Sequence, residues 1–204
     1  MKIPSYGLVT GALGLLGEKH CEALAEIGAN VILTDLPSSE SQGTLLMLRA
    51  KYPEIKFDFY EMDVTDKANI EYIYETLQKM GVTIDVLINN AALNPPPESQ
   101  NFNSRFENLS EEDWNRAIDV NLTGAFLCAQ VFGQQMASES RGSIINIASD
   151  LSVISPNQNL YRIDDQIESE QPVKSVTYSV TKTALIGLTR YLATYWAEKN
   201  VRVN

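Results

Sequence analysis

The stretch Thr10-Gly11-Ala12-Leu13-Gly14-Leu15-Leu16-Gly17 follows a short β-branched run, Tyr6–Thr10, and opens a helical pattern at Leu15–Ile27. Glycines at a strand-to-helix turn permit a tight turn and a close approach of backbone to a pyrophosphate, which the helix N-terminus then holds. A glycine-rich match alone is weak, but this one opens a strand–helix–strand unit. The stretch therefore predicts a dinucleotide-binding turn, with glycines that merely start a helix as the alternative.

Strand-like and helical patterns alternate along the rest of the chain. The further strand-like runs are Asn30–Thr34, Ile55–Tyr60, Ile84–Asn89 and Ser143–Ala148; the further helical patterns are Ser39–Tyr52, Lys67–Met80, Glu111–Met136 and Thr177–Lys199. Runs that are apolar nearly throughout are typical of strands covered on both faces. The alternation predicts an α/β, doubly wound parallel sheet (a Rossmann fold) with helices on both faces. With 204 residues and no internal repeat or linker, we expect one domain spanning 1–204.

Composition excludes several classes of protein. The formal net charge is −10, whereas a nucleic-acid binder would carry a basic patch. No apolar run approaches the roughly 20 residues of a membrane span, and the first residues lack a secretory signal, so we expect a cytoplasmic protein with neither membrane nor nucleic-acid partners. The single His20 and the distant Cys21 and Cys128 have no metal-ligand spacing. No metal is expected, and reduced, semi-buried thiols are favoured over a disulfide.

The second strand-like run ends at Asp35, close to 20 residues beyond the glycines. A carboxylate at that place accepts hydrogen bonds from the adenosine ribose hydroxyls and repels a 2′-phosphate. Asp35 therefore predicts NAD rather than NADP. The alternative is that Asp35 only caps the turn before Pro37.

A third group of residues points to acid/base chemistry. Tyr178 and Lys182 are four residues apart and share one helical face. An ammonium group beside a phenol favours the phenolate, which suits a general acid/base for an alcohol or carbonyl. Alone, such a pair is common on helix surfaces. Ser149, just past the run Ser143–Ala148, adds a hydroxyl at the sheet edge where parallel sheets bind ligands.

Taken in order along nearly the whole chain, these motifs resemble the short-chain dehydrogenase/reductase family. The matching positions are Thr10-Gly11…Gly17, Asp35, Asp63-Val64, Asn89-Asn90-Ala91-Ala92, Asn121, Ser149, Tyr178-x-x-x-Lys182 and Val201-Arg202-Val203-Asn204. The resemblance implies an NAD-dependent enzyme that transfers hydride between nicotinamide and a secondary alcohol or ketone. It also implies a homodimer or homotetramer formed through the two long helices. An epimerase or dehydratase with internal hydride return, and a non-catalytic NAD-binding module, are the alternatives.

The resemblance also implies a role for each site residue. Tyr178 would be the acid/base, Lys182 would hold the nicotinamide ribose, Ser149 would bind the reacting oxygen, and Asn121 would support a proton relay through Lys182. The implied cofactor contacts are Gly11, Gly14, Leu16, Gly17, Asp35, Asp63, Val64, Asn90, Ala91, Ala92, Tyr178 and Lys182. Among them, Asp63 and Val64 would flank the adenine.

The sequence departs from the family pattern in three places. Leu15 replaces a common glycine, and Gly14 restores a spacing typical of longer members, many of which act on nucleotide sugars. An insertion at about 151–176 separates Ser149 from Tyr178 and is similar to that of members in bacterial sugar and flagellin-glycan pathways. Its Arg162 and Lys174 either contact a phosphate or serve as counter-charges. After Asn204 we expect a substrate lid and a last strand, which the sequence lacks.

Overall fold

The computed structural model of the chain describes residues 5–96 and 105–204, and these residues form six strands. The strands are β1 (Tyr6–Thr10), β2 (Asn30–Asp35), β3 (Phe57–Glu61), β4 (Ile84–Asn89), β5 (Gly142–Asn146) and β6 (Val201–Val203). All neighbours pair in parallel, in the order β3-β2-β1-β4-β5-β6. The order reverses between β1 and β4, and a crevice for ligands opens at such a switch point. The predicted doubly wound parallel sheet is confirmed.

Helices cover both faces of this sheet. They are α1 (Leu15–Glu26), α2 (Ser41–Lys51), α3 (Lys67–Lys79), α4 (Glu111–Ile118), α5 (Gly124–Ser138) and α6 (Val176–Tyr195). Because strand side chains alternate between faces, β1 sends Leu8 into one core cluster and Val9 into the other. The first cluster packs against α3 and α5 through Ile70 and Phe132, and the second packs against α1 and α2. Both faces are therefore apolar and buried, which explains the continuous apolar runs in the strands.

The long helical patterns differ from the prediction. The single helix expected at Glu111–Met136 is divided by a π-helical turn, Asp119–Thr123, between α4 and α5. The last helix ends at Tyr195 rather than Lys199, and a 3₁₀ turn follows it at Ala197–Lys199. Apolar periodicity continues through both places, and tertiary contacts decide where the regular helix stops.

The short elements differ by fewer residues. The third strand begins at Phe57 rather than Ile55, and the fifth runs over Gly142–Asn146 rather than Ser143–Ala148. The terminal Val201–Val203 forms a strand beside β5, as its pattern indicates.

The insertion at 151–176 is irregular but internally hydrogen-bonded. Two glutamine side chains hold its backbone. The amide of Gln158 accepts from Lys174 N at 2.8 Å and donates to Lys174 O at 3.1 Å. The amide of Gln171, which is only 5% exposed, accepts from Ile163 N at 2.8 Å and donates to Ile163 O at 2.9 Å and Gln166 O at 2.6 Å. The insertion is therefore a defined wall beside the start of α6.

Strand β3 forms one edge of the sheet. Arg49 of α2 donates through Nε to the carbonyl of Phe57 at 3.2 Å and lies 3.6 Å from the carboxylate of Asp58. The two cysteines lie on helices, Cys21 in α1 and Cys128 in α5, where both are free, as predicted, and fully buried rather than semi-buried. Burial raises the pKa of both thiols to about 12, so neither is reactive. In the described part of the chain, each helix is too short or too polar to cross a membrane.

Candidate active site

Two glycines of the turn after β1 are required by its geometry. Gly11 has φ +62°, and a Cβ there would lie 2.8 Å from Ala91 Cα. A Cβ on Gly17 would lie 2.1 Å from Gly11 O and 2.7 Å from Ala12 Cα. These glycines let the turn fold tightly against β4 and let α1 pack directly on it. The predicted glycine-rich turn thus has the close backbone approach that a pyrophosphate needs.

The N-terminus of α1 is suited to an anion. Its N-cap residue, Gly14, offers no side-chain acceptor to the first amides of the helix. Uncapped helical N–H groups and the helix dipole favour a negative charge. Gly14, Leu15 and Leu16 all line the cleft, and the two leucines are exposed. The turn therefore fits a dinucleotide phosphate, which would occupy the place of a capping side chain.

Asp35 has two roles in the structure. Its carboxylate accepts from Leu13 N and from Leu36 N, both at 2.8 Å, so it does support the turns on either side. It also lines the same cleft as the glycines. A carboxylate has about four lone-pair sites, so acceptor capacity remains for ribose hydroxyls. The capping alternative and the ribose-binding prediction are therefore compatible.

Thr10 ties the ends of β1 and β4 together at the switch point. Its hydroxyl accepts from Asn90 N and Ala91 N, both at 3.0 Å. In return, Asn90 Nδ2 donates to Thr10 O at 3.0 Å and Gly11 O at 2.9 Å. The first motif and the Asn-Asn-Ala-Ala motif are thus one hydrogen-bonded unit.

Lys182 lies beneath the cleft, one turn along α6 from Tyr178. It is 2% exposed, and its ammonium donates to Ile147 O at 2.6 Å and lies 5.7 Å from the centroid of the Tyr178 ring. Burial lowers the pKa of Lys182 to about 8. An ammonium has three donors, so Lys182 can still donate to a ribose or a substrate. The predicted pair is brought together on one helical face.

Asn121 occupies the π-helical turn between α4 and α5 and is 1% exposed. Its Oδ1 accepts from Leu93 N at 2.5 Å, and its Nδ2 donates to Leu93 O at 3.0 Å and Thr181 Oγ1 at 3.1 Å. π-Helical turns are frequent at functional sites. Asn121 therefore connects Leu93, in the segment after β4, to Thr181, the residue before Lys182.

Ser149, which the sequence predicts at the substrate oxygen, has its hydroxyl hydrogen-bonded within the turn that follows it. Its hydroxyl donates to Asp150 Oδ1 at 2.8 Å and accepts from Leu151 N at 3.2 Å, while its own N–H donates to Ser152 Oγ at 3.1 Å. These bonds form the cap of a 3₁₀ turn at Asp150–Ser152. Ser149 is not among the residues that line the cleft.

The cleft has a volume of about 570 Å³, a size typical of ligand sites. Every predicted cofactor contact lines it except Gly17, which lies behind the turn. The prediction missed eight lining residues: Leu15, Leu36, Met62, Leu93, Asn94, Arg116, Val120 and Ile147. The positions of Leu36 and Ile147 directly after β2 and near the end of β5 were a usable signal, because ligands bind at the carboxyl ends of parallel strands.

Residues 6–162 match the family model described as short chain dehydrogenase. The chain belongs to this family. It is 30% identical over 197 residues to the NAD-dependent glycerol dehydrogenase of Listeria innocua. This alignment covers 97% of the chain and 66% of that relative. It is 32% identical over 198 residues to the galactitol 2-dehydrogenase of Rhizobium johnstonii, covering 97% of the chain and 68% of that relative.

Solved structures of the short-chain dehydrogenase fold also resemble the chain. A crystal structure of xylitol dehydrogenase bound to NAD⁺ aligns with a TM-score of 0.80 at 28% identity, covering all of this chain and 70% of that one. The chain spans about two thirds of the length of these curated relatives. Members of this family are oxidoreductases that use a nicotinamide cofactor.

Proposed function

We propose that the protein is an NAD-dependent dehydrogenase that transfers hydride between nicotinamide and a secondary alcohol or ketone of a polyol or sugar. The observation that carries the proposal is the pair Tyr178 and Lys182 in the same cleft as the glycine turn and Asp35. Relatives named for glycerol, galactitol and xylitol support a polyhydroxylated substrate.

The chain's own residues supply positioning and proton transfer, while the nicotinamide, when bound, supplies the hydride chemistry. During alcohol oxidation, the ionised oxygen of Tyr178 accepts the hydroxyl proton of the substrate as the carbon loses hydride. During ketone reduction, the Tyr178 hydroxyl returns that proton to the oxygen. The Lys182 ammonium lies 5.7 Å from the centroid of the Tyr178 ring, and its bond to Ile147 O fixes its position.

Removing the proton-transfer group tests this mechanism. We expect Tyr178→Phe to lower kcat by about 10²- to 10⁴-fold, the usual contribution of a general acid/base. NADH affinity, measured by nicotinamide fluorescence, should stay within about threefold, because the phenyl ring keeps its place in the cleft wall. Turnover near that of the wild type, with a nucleotide site intact, would exclude Tyr178 as the acid/base.

The preference for NAD over NADP rests on Asp35. Asp35→Ala removes a negative charge from the ribose end of the cleft, so we expect the ratio of NADPH to NADH affinity to rise about tenfold or more. Asp58→Ala makes the same change of net charge on the exposed edge strand β3 and should leave the ratio unchanged. Equal ratios in all three proteins would remove Asp35 from cofactor selection.

The glycine spacing Gly11-x-x-Gly14-x-x-Gly17 favours a second candidate of the same fold, an epimerase or dehydratase that returns the hydride to its substrate. Net formation of NADH, followed by its near-ultraviolet absorbance, distinguishes the two. A dehydrogenase accumulates NADH with turnover, whereas an internal-hydride enzyme converts substrate without it.

A further inference from the structure

A second cavity, of about 370 Å³, lies between the insertion, the start of α6 and the segment at Arg105–Glu107. Its charged lining residues are Arg105, Glu107 and Lys174, and its polar ones include Gln158 and Ser179. This size is at the lower end of the range for small-ligand sites. The cavity adjoins the cofactor cleft, because Ser179 follows Tyr178 in α6 and Lys174 contacts residues of the cleft.

Lys174 stands between the two cavities. Its ammonium lies 4.5 Å from the centroid of the Tyr178 ring and donates to Asn94 Oδ1, and both residues line the cofactor cleft. Two ammonium groups therefore lie near the Tyr178 ring, Lys174 at 4.5 Å and Lys182 at 5.7 Å from its centroid. A group bound to Lys174 would lie next to any substrate whose oxygen contacts the Tyr178 hydroxyl.

Lys174 forms no ion pair with a carboxylate that the structure describes. Within the described ranges, no Asp or Glu oxygen lies within ion-pair distance of it, although the chain has ten more acidic than basic residues. Arg162, the other basic residue of interest in the insertion, is paired with Glu168 at 2.7 Å. Burial lowers the pKa of Lys174, which is half-buried. Burying part of a charge is costly unless an opposite charge compensates, and the described partner of the Lys174 ammonium is the neutral amide of Asn94, so the half-buried cation indicates a site for an anionic ligand.

The position of Lys174 is fixed by the fold of the insertion. The amide of Gln158 holds both the N–H and the carbonyl of Lys174, and the buried amide of Gln171 closes the preceding turn. On the same wall, the hydroxyl of Ser179 is buried and makes no hydrogen bond to any described residue. These features make a preorganised wall with a cation that no described carboxylate pairs with and a hydroxyl without a described partner, which differs from a solvated surface lysine.

We propose that Lys174 binds an anionic group, carboxylate or phosphoryl, on the substrate of the proposed dehydrogenase. The Lys174 ammonium lines the cavity and is paired with no described carboxylate, so it suits an anionic partner. An ammonium is a compact point charge without the planar fork of arginine, so it accepts either anion. The inference rests on the proposed function and narrows its substrate from any polyol to a sugar acid or sugar phosphate.

The test compares three compounds with the same carbon chain: sorbitol, D-gluconate and sorbitol 6-phosphate. We expect the wild type to oxidise at least one of the anions with a kcat/KM about tenfold or more above that for sorbitol. Lys174→Met should raise KM for that anion about 10- to 100-fold, the range of a lost charge-assisted hydrogen bond. Its kcat should change less than about threefold, and Lys174→Arg should restore most of the affinity. Whether gluconate or the phosphate responds identifies the anion.

Arg162→Met is the matched control, because it removes a positive charge from the same insertion at a residue already paired with Glu168. Its KM values should equal those of the wild type. Melting temperature and NADH titration establish that each variant is folded, and Lys174→Gln replaces the methionine variant if that one is not. Equal effects of the Lys174 and Arg162 changes, or a wild type that prefers sorbitol, would overturn the inference.

Calorimetry separates failure of this inference from failure of the proposed function. If the wild type oxidises none of the three compounds, the proposed activity is wrong for this substrate class. Binding of gluconate and sorbitol 6-phosphate to the NADH-bound protein then decides the inference. Binding that Lys174→Met abolishes and Arg162→Met retains supports it, and absence of binding to the wild type refutes it.

Discussion

At the scale of single residues, Lys182 is the most deeply buried charged side chain of the described residues. Its ammonium is paired with one backbone carbonyl, and burial lowers its pKa from the ordinary 10.5 to about 8. The unfolded chain therefore holds this proton more tightly than the folded chain does. The resulting penalty on the folded state is complete below pH 8 and is relieved as pH rises towards 10.5, the ordinary pKa of lysine.

This sign gives a measurable pH dependence without cofactor. Between pH 7 and about pH 9.5, the free energy of unfolding of the wild type should rise by about 1–2 kcal/mol relative to that of Lys182→Met. Urea denaturation at a series of pH values measures the difference, and titrations shared by both proteins cancel. Parallel stability curves would show that Lys182 keeps its ordinary pKa in the folded protein.

The sequence predicted those residue positions that depend on spacing within one element. Tyr178 and Lys182 share a helical face whatever surrounds them, so their pairing follows from four-residue spacing. Ser149 was harder, because its hydroxyl bonds depend on the 3₁₀ turn that follows it. The same holds for the insertion, where only the folded backbone decides that Arg162, and not Lys174, forms an ion pair with Glu168.

At the scale of elements, the turn from β1 into α1 depends on Gly17 for space, since a Cβ there would collide with Gly11 O and Ala12. Gly17→Ala should lower the free energy of unfolding by about 1–3 kcal/mol, as overpacking does, and weaken NADH binding. Gly43→Ala in α2 is the control, because its Cβ would meet nothing within 4 Å. It should stabilise the protein by up to about 1 kcal/mol. Denaturation curves and NADH titration compare the two, and similar effects would contradict the crowding at Gly17.

The π-helical turn marks the limit of what periodicity could predict. The pattern from Glu111 to Met136 is helical throughout, and the extra residue is accommodated by contacts far away in sequence. Asn121 bonds to Leu93 and Thr181, and a Cβ on Gly124 would lie 2.7 Å from Val64 Cγ2. These contacts require α5 to begin close to the cleft. Such a requirement comes from the assembled sheet and not from the local sequence.

At the scale of the whole molecule, α5 and α6 present an apolar surface. Phe126, Tyr191 and Tyr195 are exposed around a groove of about 470 Å³ above Trp196, and the two tyrosine rings stack at 5.6 Å. Exposed aromatic side chains of this kind are typical of subunit interfaces. We propose that this surface joins two copies of the chain, consistent with the homodimer or homotetramer that the sequence predicts.

A charge placed on that surface tests the proposal. We expect the wild type to have the mass of an oligomer and Tyr195→Glu that of the monomer, because the new carboxylate would be buried in the interface. Light scattering at micromolar concentration measures both masses. Tyr72→Glu in α3 is a matched control, since both tyrosines are 65% exposed. It should leave the mass unchanged. A monomeric wild type would refute association through this surface.

The open edge of the sheet at β3 is a place where copies of the chain could aggregate. An open edge offers unpaired N–H and C=O groups to any other strand, which is a route to amyloid-like aggregation. Arg49 occupies the carbonyl of Phe57, and Asp58 and Glu61 add charge along β3. A second edge strand would have to displace this arginine and bury these carboxylates. Edge-to-edge polymerisation through β3 is thereby disfavoured, and this edge does not become a template for fibres although the chain exposes an apolar helical surface.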